Sequence, residues 1–184
     1  MKKKLLVFIL ILTTLNCFAQ LEEGEGFCET KKNESYFPLD ISVKKFYWGI
    51  SHYTETRLGK KKFNGKTYIE FKQTWKEGNS DLTYFREEKG VVYEYRVKEN
   101  KENVRYDAAF KVGHSWKTFD KNTTYTIVSY NGKLKTPYCE YKNLMVMKAE
   151  LKNETFLFYY QRGKGYIGAK YSDKKLISCI TPKF

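Results

Sequence analysis

The chain is poor in the residues on which many metal and catalytic sites depend. Its 184 residues include two histidines, four cysteines and three prolines. His52 and His114 have no ligand-type partner at metal-site spacing and no CxxC pair occurs, so the sequence predicts no metal site and no cofactor. The scarcity of proline argues against a disordered secreted linker.

Motifs of the common catalytic sites are missing as well. The sequence has no nucleophile elbow, no phosphate-binding glycine loop before a helix and no HExxH pattern. Residues 162–165 are rich in glycine but lie between two strand-like segments, which is typical of a hairpin turn. His114 and Ser115 are adjacent in an extended segment, where neighbouring side chains point in opposite directions. We therefore predict that the protein is not an enzyme.

Apolar runs are short throughout the sequence. The longest, residues 5–12, follows three lysines and precedes Ala19, whose place before Gln20 fits a cleavage site. Eight residues are far fewer than the roughly 20 that a membrane-spanning helix needs. We therefore interpret residues 1–19 as a secretory signal peptide. We expect an exported protein, periplasmic or secreted, with no transmembrane segment in its mature form.

Lipidation of Cys17 is the alternative to cleavage before Gln20. A lipobox prefers leucine three residues before the cysteine and a small residue directly before it, whereas this chain has Thr14 and Asn16. Simple cleavage fits the pattern better. Lipidation at Cys17 would instead tie the protein to a membrane.

Positive charge dominates the composition. The chain has 34 Lys and Arg against 21 Asp and Glu, a net charge of +13, of which the leader lysines supply three. Short lysine runs such as residues 60–62 are usually solvated faces of strands and loops. As a binding feature, the charge favours an anionic surface or an envelope protein as partner. We expect no nucleic-acid partner, because an exported protein rarely meets nucleic acid.

Aromatic residues are abundant, with 16 Tyr, 13 Phe and 3 Trp. Tyrosine and phenylalanine favour half-buried sheet surfaces. Period-2 alternation predicts strands, for instance over residues 46–51 and 91–97. The Asn-Gly pair at residues 64–65 predicts a tight hairpin turn, and a second Asn-Gly pair at residues 131–132 predicts the end of another strand.

These signals predict an all-β fold. About ten strands joined by short loops favour an antiparallel meander. Because so large a sheet must curl, split or close, we expect a single domain shaped as a half-barrel, an incomplete barrel or a sandwich. We assign residues 20–35 to a flexible N-terminal segment and residues 36–184 to the antiparallel β domain.

Three cysteines remain after removal of the leader, so at most one internal disulfide can form. Outside the cytoplasm such a bond persists. Cys139 with Cys179 is the first choice, because both lie in strongly β-like segments. Cys28 with Cys179, which would tie the two ends of the chain together, is nearly as well supported.

Several short motifs occur in a distinctive order. They are YFPL at residues 36–39, KVGHSW at 111–116, TPYC at 136–139 and GKGYIG at 163–168. This layout resembles a group of uncharacterised exported β-rich proteins of the Bacteroidetes. The resemblance implies a curved antiparallel sheet in the cell envelope. It implies no activity and carries over no functional residue, because the function of that group is unknown.

The sequence favours a non-enzymatic envelope binding module. A curved sheet lined with aromatic side chains could hold a small apolar or glycan ligand on its concave face. The candidate ligand-contacting residues are Trp48, Phe71, Tyr93, Tyr95 and Trp116. One alternative is a structural or partner protein, such as a periplasmic assembly subunit or an immunity-type inhibitor. A cell-wall or glycan hydrolase is the least favoured.

Overall fold

The computed structural model describes residues 27–29 and 35–182. In these residues the segments with period-2 alternation form β-strands, and there are twelve strands in total. The strands are β1 (Val43–Trp48), β2 (Ser51–Phe63), β3 (Lys66–Trp75), β4 (Ser80–Glu88), β5 (Val91–Arg96), β6 (Lys101–Asp107), β7 (Ser115–Lys117), β8 (Thr124–Lys135), β9 (Glu140–Glu150), β10 (Thr155–Gln161), β11 (Gly165–Tyr171) and β12 (Leu176–Thr181). No helix in the described part of the chain has the length and hydropathy needed to cross a membrane.

All twelve strands belong to one antiparallel sheet, in the spatial order β6-β5-β4-β3-β2-β1-β12-β11-β10-β9-β8-β7. The sheet consists of two six-stranded meanders that join where the first strand pairs with the last. At this junction Phe46 lies opposite Ile180, and Trp48 lies opposite Ser178. The predicted all-β antiparallel fold is confirmed, with twelve strands instead of about ten.

The sheet curls so that its two meanders face each other. Val92 of β5 and Tyr106 of β6 share a buried cluster with Ile127 of β8 and with Met145 and Met147 of β9. These strands are far apart in the order of the sheet, so only curvature can bring their side chains together. Within the described residues the edge strands β6 and β7 do not pair, and the sheet is therefore open and not closed into a barrel.

One predicted strand and one predicted turn are wrong, and another predicted turn is confirmed. The single strand predicted over residues 46–51 is broken at Gly49, whose φ of 59° lies in the left-handed region that glycine adopts easily. The turn predicted at residues 131–132 does not form, because β8 runs through it to Lys135 with register irregularities. A Cβ on Gly132 would lie 2.2 Å from the Val146 side chain, so glycine here permits a close approach of strands. The Asn-Gly turn at residues 64–65 is confirmed.

The tip of the β2–β3 hairpin folds onto the outer face of the sheet. β3 pairs with β4 only over residues 69–74, so the tip extends beyond its neighbour. There the Phe63 ring stacks on Tyr95 with centroids 4.3 Å apart, and Tyr68 lies 5.2 Å from the same ring. Phe63, Tyr68, Tyr84 and Tyr95 form a small core of their own, which we call the outer cluster.

Residues that precede β1 are attached to the domain by a disulfide and by packing. Cys28 is bonded to Cys139, with their Cα atoms 5.6 Å apart. Phe27 is buried in the cluster that contains Phe46. Residues 27–29 are thus fixed to the β domain, although they fall within the segment 20–35 that the sequence assigns as flexible. The rest of that segment up to residue 34, and the whole leader with Cys17, lie outside the described residues.

The predicted disulfide between Cys139 and Cys179 is wrong, and so is the alternative between Cys28 and Cys179. Cys139 directly precedes β9, whereas Cys179 lies in β12, and two strands separate β9 from β12. Three strand spacings amount to about 14 Å. A disulfide needs Cα atoms within about 7 Å of each other. Cys179 is instead a buried free thiol.

The Cys179 thiol should be unreactive in the folded protein. Burial raises its pKa to about 11, so that little thiolate is available at neutral pH. In a protein that begins at Gln20, Ellman's reagent should detect no thiol in the native state and one thiol after denaturation without reductant. Cys179→Ala should give no signal in either state. Rapid reaction of the native wild-type protein would contradict this prediction.

Candidate functional site

A cavity of about 500 Å³ lies on the concave face, between the two meanders. This volume is within the range of about 300–1,000 Å³ typical of ligand pockets. Alternate residues of each strand point to the same face, which explains why β3 contributes Phe71, Gln73 and Trp75, and why β4 contributes Thr83 and Phe85. β1, β2 and β6 of the first meander also line the cavity, and β10 and β11 of the second meander line it from the other side.

Aromatic rings make up most of the cavity wall. The ring centroids of Tyr53 and Trp75 are 4.7 Å apart, and those of Phe71 and Phe85 are 6.1 Å apart. Phe158 of β10 lines the facing wall. Contacts at these distances are usual in packed aromatic clusters. The wall therefore offers an apolar surface that its own rings hold in place.

The cavity has an aromatic end and a polar end. Trp48 and Trp75 are the last residues of β1 and β3. These two strands are parallel in direction, so both indoles lie at the same end of the strands. Arg105 and Tyr160 lie near the last residues of β6 and β10. These strands run in the opposite direction, so both side chains lie at the opposite end of the strands. All four residues line the cavity. Strand direction thus separates the two indoles from the guanidinium.

The segment that leads into β1 covers part of the polar end. The Ser35 carbonyl accepts a hydrogen bond from the Gly163 amide at 2.9 Å, and the Leu39 carbonyl accepts one from Arg57 Nε at 2.9 Å. Between these anchors the Phe37 ring packs on Tyr160, with centroids 4.6 Å apart. Phe37 and Leu39 both line the cavity. Residues 37–39 therefore form a fixed part of its wall.

A buried ion pair lies in the wall between β1 and β2. Lys44 Nζ is 2.8 Å from Glu55 Oε1, and Gln73 Nε2 donates a hydrogen bond to Glu55 Oε2 at 3.1 Å. Burial alone would raise the pKa of Glu55, but the charge of Lys44 and the hydrogen bonds from Lys44 and Gln73 outweigh it and lower that pKa. The pair is therefore ionised and its charges cancel.

Arg105 brings a second cation to the cavity. One guanidinium nitrogen donates a hydrogen bond to the Tyr160 hydroxyl at 3.1 Å, and the guanidinium carbon lies 4.9 Å from the centre of the Tyr125 ring. Among the described residues, no carboxylate lies within ion-pair distance of Arg105. Arg105 thus places a positive charge in the cavity without a carboxylate in contact with it, although Glu94 acts on it electrostatically from farther away.

A β-bulge places Arg105 on the inner face. Val92 pairs with Tyr106, and the next residue, Tyr93, pairs with Val104, so Arg105 is the extra residue of β6. Strict alternation would have placed its side chain opposite to that of Tyr106. The bulge instead allows Tyr106 to join the inner core while Arg105 lines the cavity.

The five predicted ligand-contacting residues separate into two groups. Trp48 and Phe71 line the cavity. Tyr95 belongs to the outer cluster, and the Tyr93 ring lies under the Arg86 guanidinium at 4.1 Å. Trp116 packs against Phe110 and Tyr125 beside the inner core. The structure therefore brings together two of the five.

Sequence reasoning missed most polar residues of the site. Lys44, Glu55 and Arg105 come from charged strand segments that resemble solvated faces, and nothing local distinguishes them. Phe37 has a visible signal, because it belongs to the YFPL motif on which the family resemblance partly rests. No group of three or more histidine, cysteine or acidic side chains in residues 27–29 and 35–182 could hold a metal ion.

Comparisons with known proteins give one structural neighbour. No protein-family model matches the chain, and no curated protein matches it by sequence. A solved structure from Bacteroides fragilis, of a protein thought to be exported and having a YmcC-like fold, aligns with a TM-score of 0.39 and 12% identity. The alignment covers 76% of this chain and 92% of that one.

Proposed function

We propose that this protein is an exported, non-enzymatic binding module that holds a small apolar ligand inside its curled sheet. The supporting observation is the aromatic cavity of about 500 Å³ between the two meanders. A cavity of this size and lining is the usual form of a small-molecule site. The export leader supports a role in the cell envelope.

The wall chemistry favours an apolar ligand over a glycan. A glycan presents many hydroxyl groups, each of which needs a hydrogen-bond partner when it is buried. The polar side chains of Lys44, Glu55 and Gln73 are already bonded to one another. In the described residues, the hydroxyls of two cavity residues, Thr83 and Tyr166, are buried without a hydrogen-bond partner. Away from Arg105 and Tyr160, the wall therefore has little capacity for a polyhydroxyl ligand.

Filling the cavity tests this proposal. Thr83→Trp places an indole in the cavity and should weaken binding of the neutral apolar dye N-phenylnaphthylamine by at least about tenfold, equivalent to about 1.4 kcal/mol. Leu82→Trp is the matched control, because Leu82 precedes Thr83 on the same strand but is exposed. That variant should bind like the wild type. Dye fluorescence titration measures each dissociation constant.

Two results would refute the proposal. The first is that the folded wild-type protein fails to bind the dye in a saturable way. The second is equal affinity of the Thr83→Trp and Leu82→Trp variants, which would place the dye outside the cavity. Circular dichroism of both variants establishes that each is folded before it is titrated.

A further inference from the structure

The charge balance of the cavity indicates what kind of ligand it accepts. Lys44 and Glu55 neutralise each other at 2.8 Å. Arg105 has no carboxylate partner in the described residues, and it lines the same cavity. Arg105 is half-buried, and a cation that is partly withdrawn from water is normally paired, because an unpaired charge there is costly. The cavity is therefore complementary to a ligand with a single negative charge.

We propose that the ligand is a single-chain amphiphile with a carboxylate head, a molecule of the fatty-acid class. Its carboxylate would bind Arg105 and the Tyr160 hydroxyl, and its chain would extend along the aromatic wall toward Trp48 and Trp75. This proposal rests on the proposed function and specifies the ligand of the same cavity. It is carried by the separation of an apolar wall from one guanidinium that has no carboxylate in contact with it.

The hydrogen-bonding capacity of the polar end suits a carboxylate. A guanidinium has five N–H donors, and in Arg105 these are only partly used by the Tyr160 hydroxyl and by a hydrogen bond to Tyr125. The Tyr160 hydroxyl accepts that bond, so its own hydrogen is free to be donated to a ligand oxygen. The planar fork of arginine matches the two oxygens of a carboxylate. Arg105 and Tyr160 can therefore bind both oxygens of one head group.

The polar end is also held in position before any ligand arrives. The Arg105 guanidinium lies over the Tyr125 ring at 4.9 Å, and the Tyr160 ring is packed on Phe37 at 4.6 Å. Both side chains thus have a fixed direction, and binding does not require them to be ordered anew. Such preorganisation increases affinity by lowering the entropic cost of association.

Competition with the neutral dye measures the preference for charge. In the wild-type protein at pH 8, laurate should displace the dye with an apparent affinity at least about tenfold higher than that of dodecanol, equivalent to about 1.4 kcal/mol. Dodecyltrimethylammonium, which carries the opposite charge, should bind more weakly than dodecanol. Arg105→Met should abolish the preference for laurate over dodecanol, because it removes the guanidinium and leaves the aromatic wall in place.

Matched variants separate the site from general attraction by a basic protein. Arg96→Met removes the same charge from β5 at a side chain that is 47% exposed and lies outside the cavity wall, so the preference for laurate should persist. Arg105→Lys retains the buried charge without the fork and should keep part of the preference. This variant also provides a test if Arg105→Met does not fold.

The possible failures are distinguishable. If the dye binds but laurate and dodecanol displace it equally from the wild type, the fatty-acid assignment is overturned and the apolar cavity remains. If the preference survives in Arg105→Met, or disappears in Arg96→Met, the head does not bind at Arg105. Tighter binding of dodecyl phosphate than of laurate would overturn the carboxylate assignment. If the dye itself does not bind, the proposed function fails first.

Discussion

Replacing Cys28 by serine should lower the free energy of unfolding by about 2–5 kcal/mol. The bond to Cys139 spans 111 residues of sequence, so it closes a very long loop and removes much conformational freedom from the unfolded chain. It also holds Phe27 in the core cluster around Phe46. Urea denaturation of the oxidised wild-type and variant proteins, followed by circular dichroism, measures the difference.

Reduction of the wild type provides an internal control for this prediction. Dithiothreitol should destabilise the wild-type protein to the level of Cys28→Ser and should leave the variant unchanged. Cys179→Ala keeps the disulfide, so its stability should still depend on dithiothreitol. If oxidised and reduced wild-type proteins unfold at the same urea concentration, the cross-link does not contribute as expected.

Glu55→Gln should destabilise the protein by about 3–5 kcal/mol at neutral pH. The variant leaves the Lys44 ammonium, whose side chain is 10% exposed, without its counter-charge. Glu87→Gln makes the same chemical change at an exposed position of β4 and should stay within about 0.5 kcal/mol of the wild type. Replacing both partners, as in Lys44→Met with Glu55→Leu, should recover most of the loss, since an apolar pair leaves no buried charge.

The effect of Glu55→Gln should also depend on pH. The folded protein lowers the pKa of Glu55, so the ion pair contributes its full stability above the ordinary glutamate value of about 4.3. That contribution is lost as the pH falls through the lowered pKa of the folded state. The stability difference between wild type and variant should therefore shrink on acidification. Urea titrations at a series of pH values from 7 downward test this, and a difference that is constant or grows would contradict it.

The strands and several turns could be predicted from the sequence because their causes are local. Alternation gives the fold class, and the Asn-Gly turn at residues 64–65 follows from the ability of both residues to adopt positive φ. The same dipeptide at residues 131–132 does not turn, because there Gly132 permits the approach of Val146 from the neighbouring strand. A dipeptide cannot indicate which of these two requirements applies.

The cavity could not be predicted from the sequence, because it depends on strand pairing that no local pattern indicates. Alternation along β6 gives the wrong face for Arg105, since the bulge opposite Val92 and Tyr93 shifts the register by one residue. The pairing of Lys44 with Glu55 depends on the turn at Gly49. The alternation in the sequence continues through this turn, so the sequence predicts one strand there. Trp48 and Phe71 could be identified because the two-residue alternation along a strand is sufficient to predict which aromatic side chains share a face.

The junction of β1 with β12 has a consequence for how the protein is made. Contacts between the two ends of a chain give a fold a high contact order, and such folds form slowly. During synthesis the second meander emerges last, so one side of β1 stays unpaired until β12 is made, and Phe46 lacks its partner Ile180. Unpaired edges are sites of intermolecular association. Chains truncated before Leu176 are therefore expected to aggregate rather than to form half of the sheet.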